Sequence, residues 1–399
     1  MKATSSARRR RADVRRQGGQ SAAAATDWVE RQLIEIHGCL RQYFPALGRL
    51  AIALYDPKTD KLKTFAHSTT GGTPLAQYEA VLAEVPSLGA LARTGRHRVV
   101  RDLSVFNGSP HEHSRRLLED GYRSSYTLPV RADGRLLGFL FFDSKRRDYF
   151  TPLAVERLAV FGHLIALLVV QSLTPVRMLR SALSVASKLT HYRDPETGAH
   201  LERMSRYTRL IARVLAPREK LSDEFVEFLF LFAPTHDIGK IAIPDSILLK
   251  RGRLTAAEFE VMKTHVTKGA EIVDGIVQDL GLEALPHAGI LRNVVLCHHE
   301  AVDGSGYPQG LGGDRIPVEA RIVAVADVFD ALTSERPYKP AWRPAYAHAY
   351  LREGAGTKFD AACVAVLEKH AAEVEEIRSG FEDSESASQQ SREGYTLDL

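Results

Sequence analysis

The sequence predicts a multidomain chain: an N-terminal α+β module, a long connecting helix and a C-terminal all-α helical bundle. Three observations carry this. The 399 residues exceed one ordinary core. Strand-like runs are confined to the stretch before Ser144, and after Thr151 the apolar positions recur at helical and heptad spacing. The expected boundaries are a basic tail over 1–26, the α+β module over 27–170, a connector over 151–190 that overlaps the module's last helix, the bundle over 177–372, and an acidic, disordered tail over 373–399.

Hydrophobic residues make up 44% and charged residues 26%, as in ordinary globular proteins. A net charge of only +4 argues against nucleic acid as a partner of the whole molecule. The arginines Arg8 to Arg11, Arg15 and Arg16 cluster in a solvated, Ala- and Ser-rich tail. Three widely spaced cysteines, Cys39, Cys297 and Cys363, suit a reducing compartment. The basic start lacks the apolar core of a secretory signal. The best apolar run, Leu164 to Val170, falls far short of the roughly 20 residues a membrane span needs. The expectation is a cytoplasmic protein without a membrane span.

Taken in order, Trp28, Leu33, Ile36 and Leu40 mark an amphipathic helix. Arg49 to Tyr55 reads as a strand closed by Asp56-Pro57, and further strands are expected at Lys63 to Phe65, His97 to Val100 and Ser124 to Val130. Ala132-Asp133-Gly134-Arg135 separates two apolar runs and predicts a hairpin. The closing run Leu136 to Ser144, followed by Tyr149-Phe150-Thr151-Pro152 opening a long helix, resembles the end of a GAF domain. That resemblance implies a sensory module whose ligand the residues do not identify. His67, His97, His111, His113 and Cys39 stand at no spacing that demands haem or metal.

In the connector, Leu158, Ile165, Ser172, Leu179 and Ala186 are seven apart, and Phe161, Leu168, Pro175, Ala182 and Leu189 form a second set. Such a seam predicts a parallel helical homodimer, with a kink or junction at Pro175. Two amphipathic helices, each packed on its own domain, are the alternative.

The chemistry gathers in the last half. Asp194 and Pro195 are a good N-cap and first helical residue, and Glu196, His200 and Arg203 then share one helix face. His236-Asp237, with Lys240 one turn on, follows the apolar run Phe228 to Phe232, where unpaired polar groups would be costly. An adjacent His-Asp pair offers a neutral imidazole nitrogen and a carboxylate able to bridge two cations. His265, the pair His298-His299 and Asp327 extend the set. Asp327 lies in an apolar helix where a carboxylate needs a metal or a base. Asp330, one turn later, is the weaker candidate and can instead pair with an arginine.

Together these segments, E-T-G-x-H-x-x-R at 196–203, H-D-I-G-K at 236–240, H-x-x-x-G-A at 265–270, H-H-E-x-x-D-G-S-G-Y-P at 298–308 and D-V-F-D-A-L-T-S-x-R-P-Y-K at 327–339, resemble an HD-GYP domain of the HD phosphohydrolase superfamily. The resemblance implies a bundle that holds two or three divalent ions, iron or manganese, and hydrolyses cyclic di-GMP. It makes His236, Asp237, His265, His298, His299 and Asp327 metal ligands, with Asp237 bridging. Glu196 and His200 would complete a third metal position. Asp237 and Lys240 become the catalytic pair, and Arg203, Lys240, Tyr307, Arg336 and Lys339 the substrate contacts. A diguanylate cyclase or another signalling protein is an implied partner. Val266 and Ala361 depart from the family's usual prolines beside the motifs. A cyclic di-GMP receptor or recruiting scaffold without turnover is the competing reading, and a different cyclic dinucleotide a third.

Overall fold

The computed structural model describes residues 28–72, 75–108, 112–132, 134–191, 198–250, 252–282, 287–335 and 340–381. The basic tail over 1–26, His111, Asp133, the helix start at Asp194, Glu196, Arg336, Lys339 and the acidic residues from 382 on lie outside this set.

The first domain is α+β. Helix α1 (Trp28–Tyr43) leads into β1 (Leu47–Asp56), β2 (Lys61–Thr69), β3 (Glu79–Val81), α2 (Pro86–Thr94), β4 (Arg98–Val100), α3 (Glu112–Glu119), β5 (Ser124–Ala132) and β6 (Arg135–Ser144). The strands form one antiparallel sheet in the order β3-β2-β1-β6-β5-β4. Every strand expected from alternation is present, and the hairpin turns at Gly134, whose φ of 75° favours glycine. The short β3 and the helices α2 and α3 carry too few alternating or periodic positions to stand out in the sequence. On one side of the sheet, α1 buries Val29, Leu33 and Leu40.

Helix α4 (Pro152–His191) is a single 40-residue element that runs through Pro175, so the expected junction is absent. Leu173 and Val176 are buried on either side of the proline, and this packing outweighs one missing backbone bond. Leu158, Ile165 and Leu179, from the first set of the predicted dimer seam, are buried within the chain itself, and Phe161 and Leu168 from the second set are half-buried. The 28-residue segment Pro152–Leu179 is long and apolar enough to cross a membrane, by length and composition alone. That corrects the reading of an uninterrupted run: scattered single polar residues hide an 18-residue window whose mean hydropathy is 2.0.

The second domain is helical: α5 (Gly198–Glu219), α6 (Asp223–Phe232), α7 (Asp245–Leu248), α8 (Ala256–Lys263), α9 (His265–Asp279), α10 (Ala288–Cys297), α11 (Val318–Thr333), α12 (Pro344–Glu353), α13 (Ala361–Lys369) and α14 (Ala371–Gly380). Two 3₁₀ turns, Ala233–Thr235 and Ile238–Ala242, interrupt the chain between α6 and α7. Helix α5 is the spine, packed against α6, α11, α13 and α14. Helix α14 corrects the expected start of the acidic tail at 373: Val374 is buried, Glu373 pairs with Arg213 at 2.7 Å, and the Phe381 carbonyl accepts from Arg203.

The two domains meet through polar groups. The buried Glu224 carboxylate on α6 accepts from the Val29 and Glu30 N–H groups at the start of α1 and meets His287 Nε2 at 2.9 Å. Phe230 lies under the Lys63 ammonium, at 4.5 Å, and near the Arg206 guanidinium.

Candidate metal centre

The site is assembled from five segments. The 3₁₀ turn after α6 presents His236 and Asp237, while α5 supplies His200, the start of α9 His265, the end of α10 His298 and His299, and α11 Asp327. The motif glycine Gly239 lets the turn lie directly on α9: a Cβ there would stand 1.8 Å from the His265 carbonyl oxygen and 2.5 Å from the Gly269 nitrogen. Gly306 has the same function in the loop after α10, where a Cβ would stand 2.3 Å from the Ala301 nitrogen. Each glycine allows a backbone approach that no other residue fits.

Four imidazoles share one hydrogen-bonding logic. His200 Nδ1 meets Asp330 at 2.7 Å, His236 Nδ1 the Ala233 carbonyl at 3.1 Å, His265 Nδ1 the Met262 carbonyl at 2.8 Å and His298 Nδ1 the Val294 carbonyl at 2.9 Å. A carbonyl or carboxylate only accepts, so each Nδ1 carries the proton and, in a neutral ring, each Nε2 presents a lone pair. Burial pushes the His298 imidazole below its ordinary range, and burial with His298 beside it does the same to His299, so both favour the neutral form.

These Nε2 atoms face carboxylate oxygens. Asp237 Oδ1 lies 3.2 Å from His265 Nε2 and 3.6 Å from His298 Nε2, while its Oδ2 lies 3.2 Å from His236 Nε2 and 2.8 Å from Lys240 Nζ. Asp327 Oδ1 stands 3.7 Å from His236 Nε2 and 3.8 Å from His200 Nε2. Two donor groups result, Asp237 with His265, His298 and His299, and His236 with His200 and Asp327, each converging within 4.8 Å. The Asp237 carboxylate reaches toward both. Burial alone would raise its pKa, but the Lys240 ammonium beside it holds it well below the usual carboxylate range.

The fit to cations rests on buried atoms. His265 Nε2, His298 Nε2 and Asp237 Oδ1 have no hydrogen-bond partner among the described residues. A lone pair and a carboxylate oxygen face to face are repulsive unless a cation lies between them, and a buried polar atom left so is costly. The nitrogen and oxygen donor mixture suits iron, manganese or zinc better than calcium.

His200 joins His236 and Asp327, so among the described residues there are two donor groups and no separate third. Arg203, expected at the substrate, is buried, and its guanidinium grips Asp330 at 2.7 and 3.0 Å and Ser334 at 2.7 Å, next to the donor group that contains His200. Tyr307 sits at the lip with its ring 4.9 Å from that of His299 and Lys263 5.7 Å from its own face. Burial raises the Tyr307 hydroxyl, with Asp237 adding to the effect, so it stays a donor.

Two supporting residues were not singled out from sequence. Glu300 is buried, and its carboxylate accepts from the Gln309 and Leu311 N–H groups at 2.7 and 2.9 Å, which folds the 300–311 loop back on itself. Its place beside the two histidines was the available signal. Lys263, beside Tyr307, had none, because only the chain's fold brings it there.

Residues 193–363 match the HD domain family model and residues 40–169 the GAF domain model. Over 202 residues the chain is 48% identical to the cyclic di-GMP phosphodiesterase response regulator RpfG of Xanthomonas campestris pv. campestris, a match covering 51% of this chain and 50% of that protein. A cyclic di-GMP phosphodiesterase of Vibrio cholerae is 42% identical over 211 residues, covering 51% and 42%. The same organism's 3'3'-cGAMP-specific phosphodiesterase 2 is 38% identical over 191 residues, covering 48% and 34%. The chain spans half or less of the length of these curated relatives.

Proposed function

We infer that this chain, a GAF domain followed by an HD domain, is a metal-dependent phosphodiesterase for cyclic di-GMP, and that the GAF domain regulates it. One observation carries the reading: the two oxygens of Asp237 face different imidazole groups, the arrangement a bridging ligand of a polynuclear centre requires. Iron or manganese is our assignment, held by His236, Asp237, His265, His298, His299 and Asp327, with His200 in the first group. A third ion at Glu196 would make the centre trinuclear. Two ions so placed supply an activated water at neutral pH and offset charge on the phosphoryl oxygens.

The chain's own residues do the rest. Lys240, held by Asp237 at 2.8 Å, is a donor at the rim for a phosphoryl oxygen or for the leaving alkoxide. Tyr307 offers a ring face to a guanine and a hydroxyl to a phosphate. Arg336 and Lys339 are assigned to the second phosphate. A substrate this size, with two phosphodiesters and two bases, matches a rim of cations and an aromatic. One face of α4 packs against β5, α1 and both 3₁₀ turns, which supports a helix docked on the protein, and a cytoplasmic location is our reading.

Anaerobically purified protein should contain about two or three iron or manganese ions per chain and linearise cyclic di-GMP. His236→Ala and Asp237→Ala should lose both metal and turnover. Metal-loaded protein that binds cyclic di-GMP and leaves it intact would establish the receptor reading instead. Faster turnover of 3'3'-cGAMP than of cyclic di-GMP would replace the substrate assignment, and that comparison matters because one relative carries that specificity in its name.

A further inference from the structure

Within the GAF domain lies a cavity of about 380 Å³ that no step above uses. Its walls are mostly apolar, with Ile52, Leu62, Leu88, Leu103 and Phe141 among them, and its size falls in the range of small-molecule sites. Two arginines reach it. Arg49 is neutralised by Asp143 at 2.6 Å. Arg98 differs: its guanidinium holds the Ser87 hydroxyl, its buried Nε has no hydrogen-bond partner, and no carboxylate pairs with it among the described residues. The Asp143 carboxylate, already paired with Arg49, also acts on Arg98, so two arginines share one anion beside an apolar cavity, which is costly as it stands.

One wall of the cavity is also a fastening to the second domain. Leu75 and Tyr78 line the cavity. Between them Gln77 adopts the left-handed region, with φ 53°, and donates its N–H to Asp223 Oδ1 at the start of α6 at 2.8 Å. Next, Glu79 at the head of β3 meets Arg209 on α5, which also holds Glu227 of α6 at 2.6 Å. Helix α5 carries His200, and α6 runs into the turn that carries His236 and Asp237.

We propose that this cavity binds a small organic acid, a carboxylate on an apolar body of naphthalene or decyl size, with the carboxylate on Arg98, and that residues 75–81 transmit its occupancy to α5 and α6. A bidentate guanidinium–carboxylate contact satisfies Arg98, and the apolar walls take the body. Displacement of Tyr78 or Leu75 by the ligand acts on the Gln77–Asp223 and Glu79–Arg209 contacts directly. Control of turnover by this route rests on the phosphodiesterase reading. Binding and its transmission to the helices do not.

The test uses the full metal-loaded chain with naphthalene-2-carboxylate and decanoate, the matching alcohols, and cyclic GMP, by titration calorimetry. One acid per chain should bind, with the alcohols and Arg98→Met both weaker by about 10- to 100-fold, the worth of a hydrogen bond to a charged group. Unchanged alcohol binding by Arg98→Met shows that its cavity is intact. Alcohols binding as well as acids, no binding by either acid, or cyclic GMP binding in their place overturns the ligand class. Hydrogen exchange read on the same samples should change in residues 75–81 and in the starts of β3 and α6, and Glu79→Gln should reduce the change in α5. Changes confined to the GAF domain overturn the transmission. Hydrolysis is not part of either readout, so failure of the phosphodiesterase reading would leave both results interpretable.

Discussion

Asp330 holds two bases at once, His200 Nδ1 at 2.7 Å and the Arg203 fork at 2.7 and 3.0 Å, with no exposure of its own. Those bonds keep its carboxyl below the usual range despite burial, and they fix the tautomer that turns His200 Nε2 toward Asp327. Asp330→Asn retains an acceptor but removes the charge. Metal affinity should fall about 10- to 100-fold, the usual effect of losing such an orienting group, as read by competition with a chelator. Unchanged affinity would mean that His200 is not a ligand. Asp223 works in the other direction. Burial raises its carboxyl to about 6 from 3.8, and His67 beside it, pushed down to about 4 by burial, brings no charge at neutral pH. The folded state therefore keeps the proton to higher pH than the unfolded chain does. Stability from this group is lost as pH rises from about 4 to about 6. Asp223→Asn should raise the melting temperature at pH 7.5, by an effect of up to about 3 kcal/mol, and leave it unchanged at pH 3.5. A gain equal at both pH values would assign the effect to packing.

The turn Ile238–Ala242 and helix α9 touch only because Gly239 and Gly269 face each other, with a Cβ on Gly239 placed 1.8 Å from backbone. Gly239→Ala must push the turn and α9 apart, which separates Asp237 from His265. Loss of metal with retained helical circular dichroism is the expected outcome, and metal retained at wild-type level would refute the contact's role. This explains why the cluster of donor side chains was legible in the sequence: its residues sit in short fixed-spacing segments where glycine, histidine and carboxylate are locally required. The strands of the sheet were legible for a similar reason, since alternation and the turn at Gly134 are local. The role of Arg203 was not. Spacing puts it on the face of His200, but only α11 packing on α5 brings Asp330 to its guanidinium. Likewise α14 reads as acidic tail until Arg213 and the cover over Val374 are in place. Pro175 misleads in the opposite sense, because the buried flanks Leu173 and Val176 are invisible to a local rule.

At the scale of the whole molecule, the heptad pattern of α4 serves two different surfaces. Leu158, Ile165, Val169, Leu173, Val176 and Leu179 face the chain's own core. Rotated from them, Leu153, Val160, Leu164, Leu167 and Met178 are exposed, at 56 to 63%, and with Arg157, Gln171 and Thr174 they follow the alternating three- and four-residue step of a coiled-coil seam. A homodimer through α4 would use this second seam and not the one read from sequence, since its step pattern is self-complementary along the helix. The five apolar side chains would remove about 1,000 Å² from water over the two copies, near the lower bound for a specific interface. A bilayer fits less well, since the opposite face of the same segment is packed on protein. The polar positions would cost stability but fix the register. Leu164→Glu with Leu167→Glu should convert a dimer to a monomer in sedimentation equilibrium at micromolar concentration, with the melting temperature of the GAF domain held within a few degrees. A wild-type chain that stays monomeric at that concentration, or a double variant that stays dimeric, would remove this seam from the assembly. Detergent-dependent solubility of the wild type would return α4 to the membrane reading.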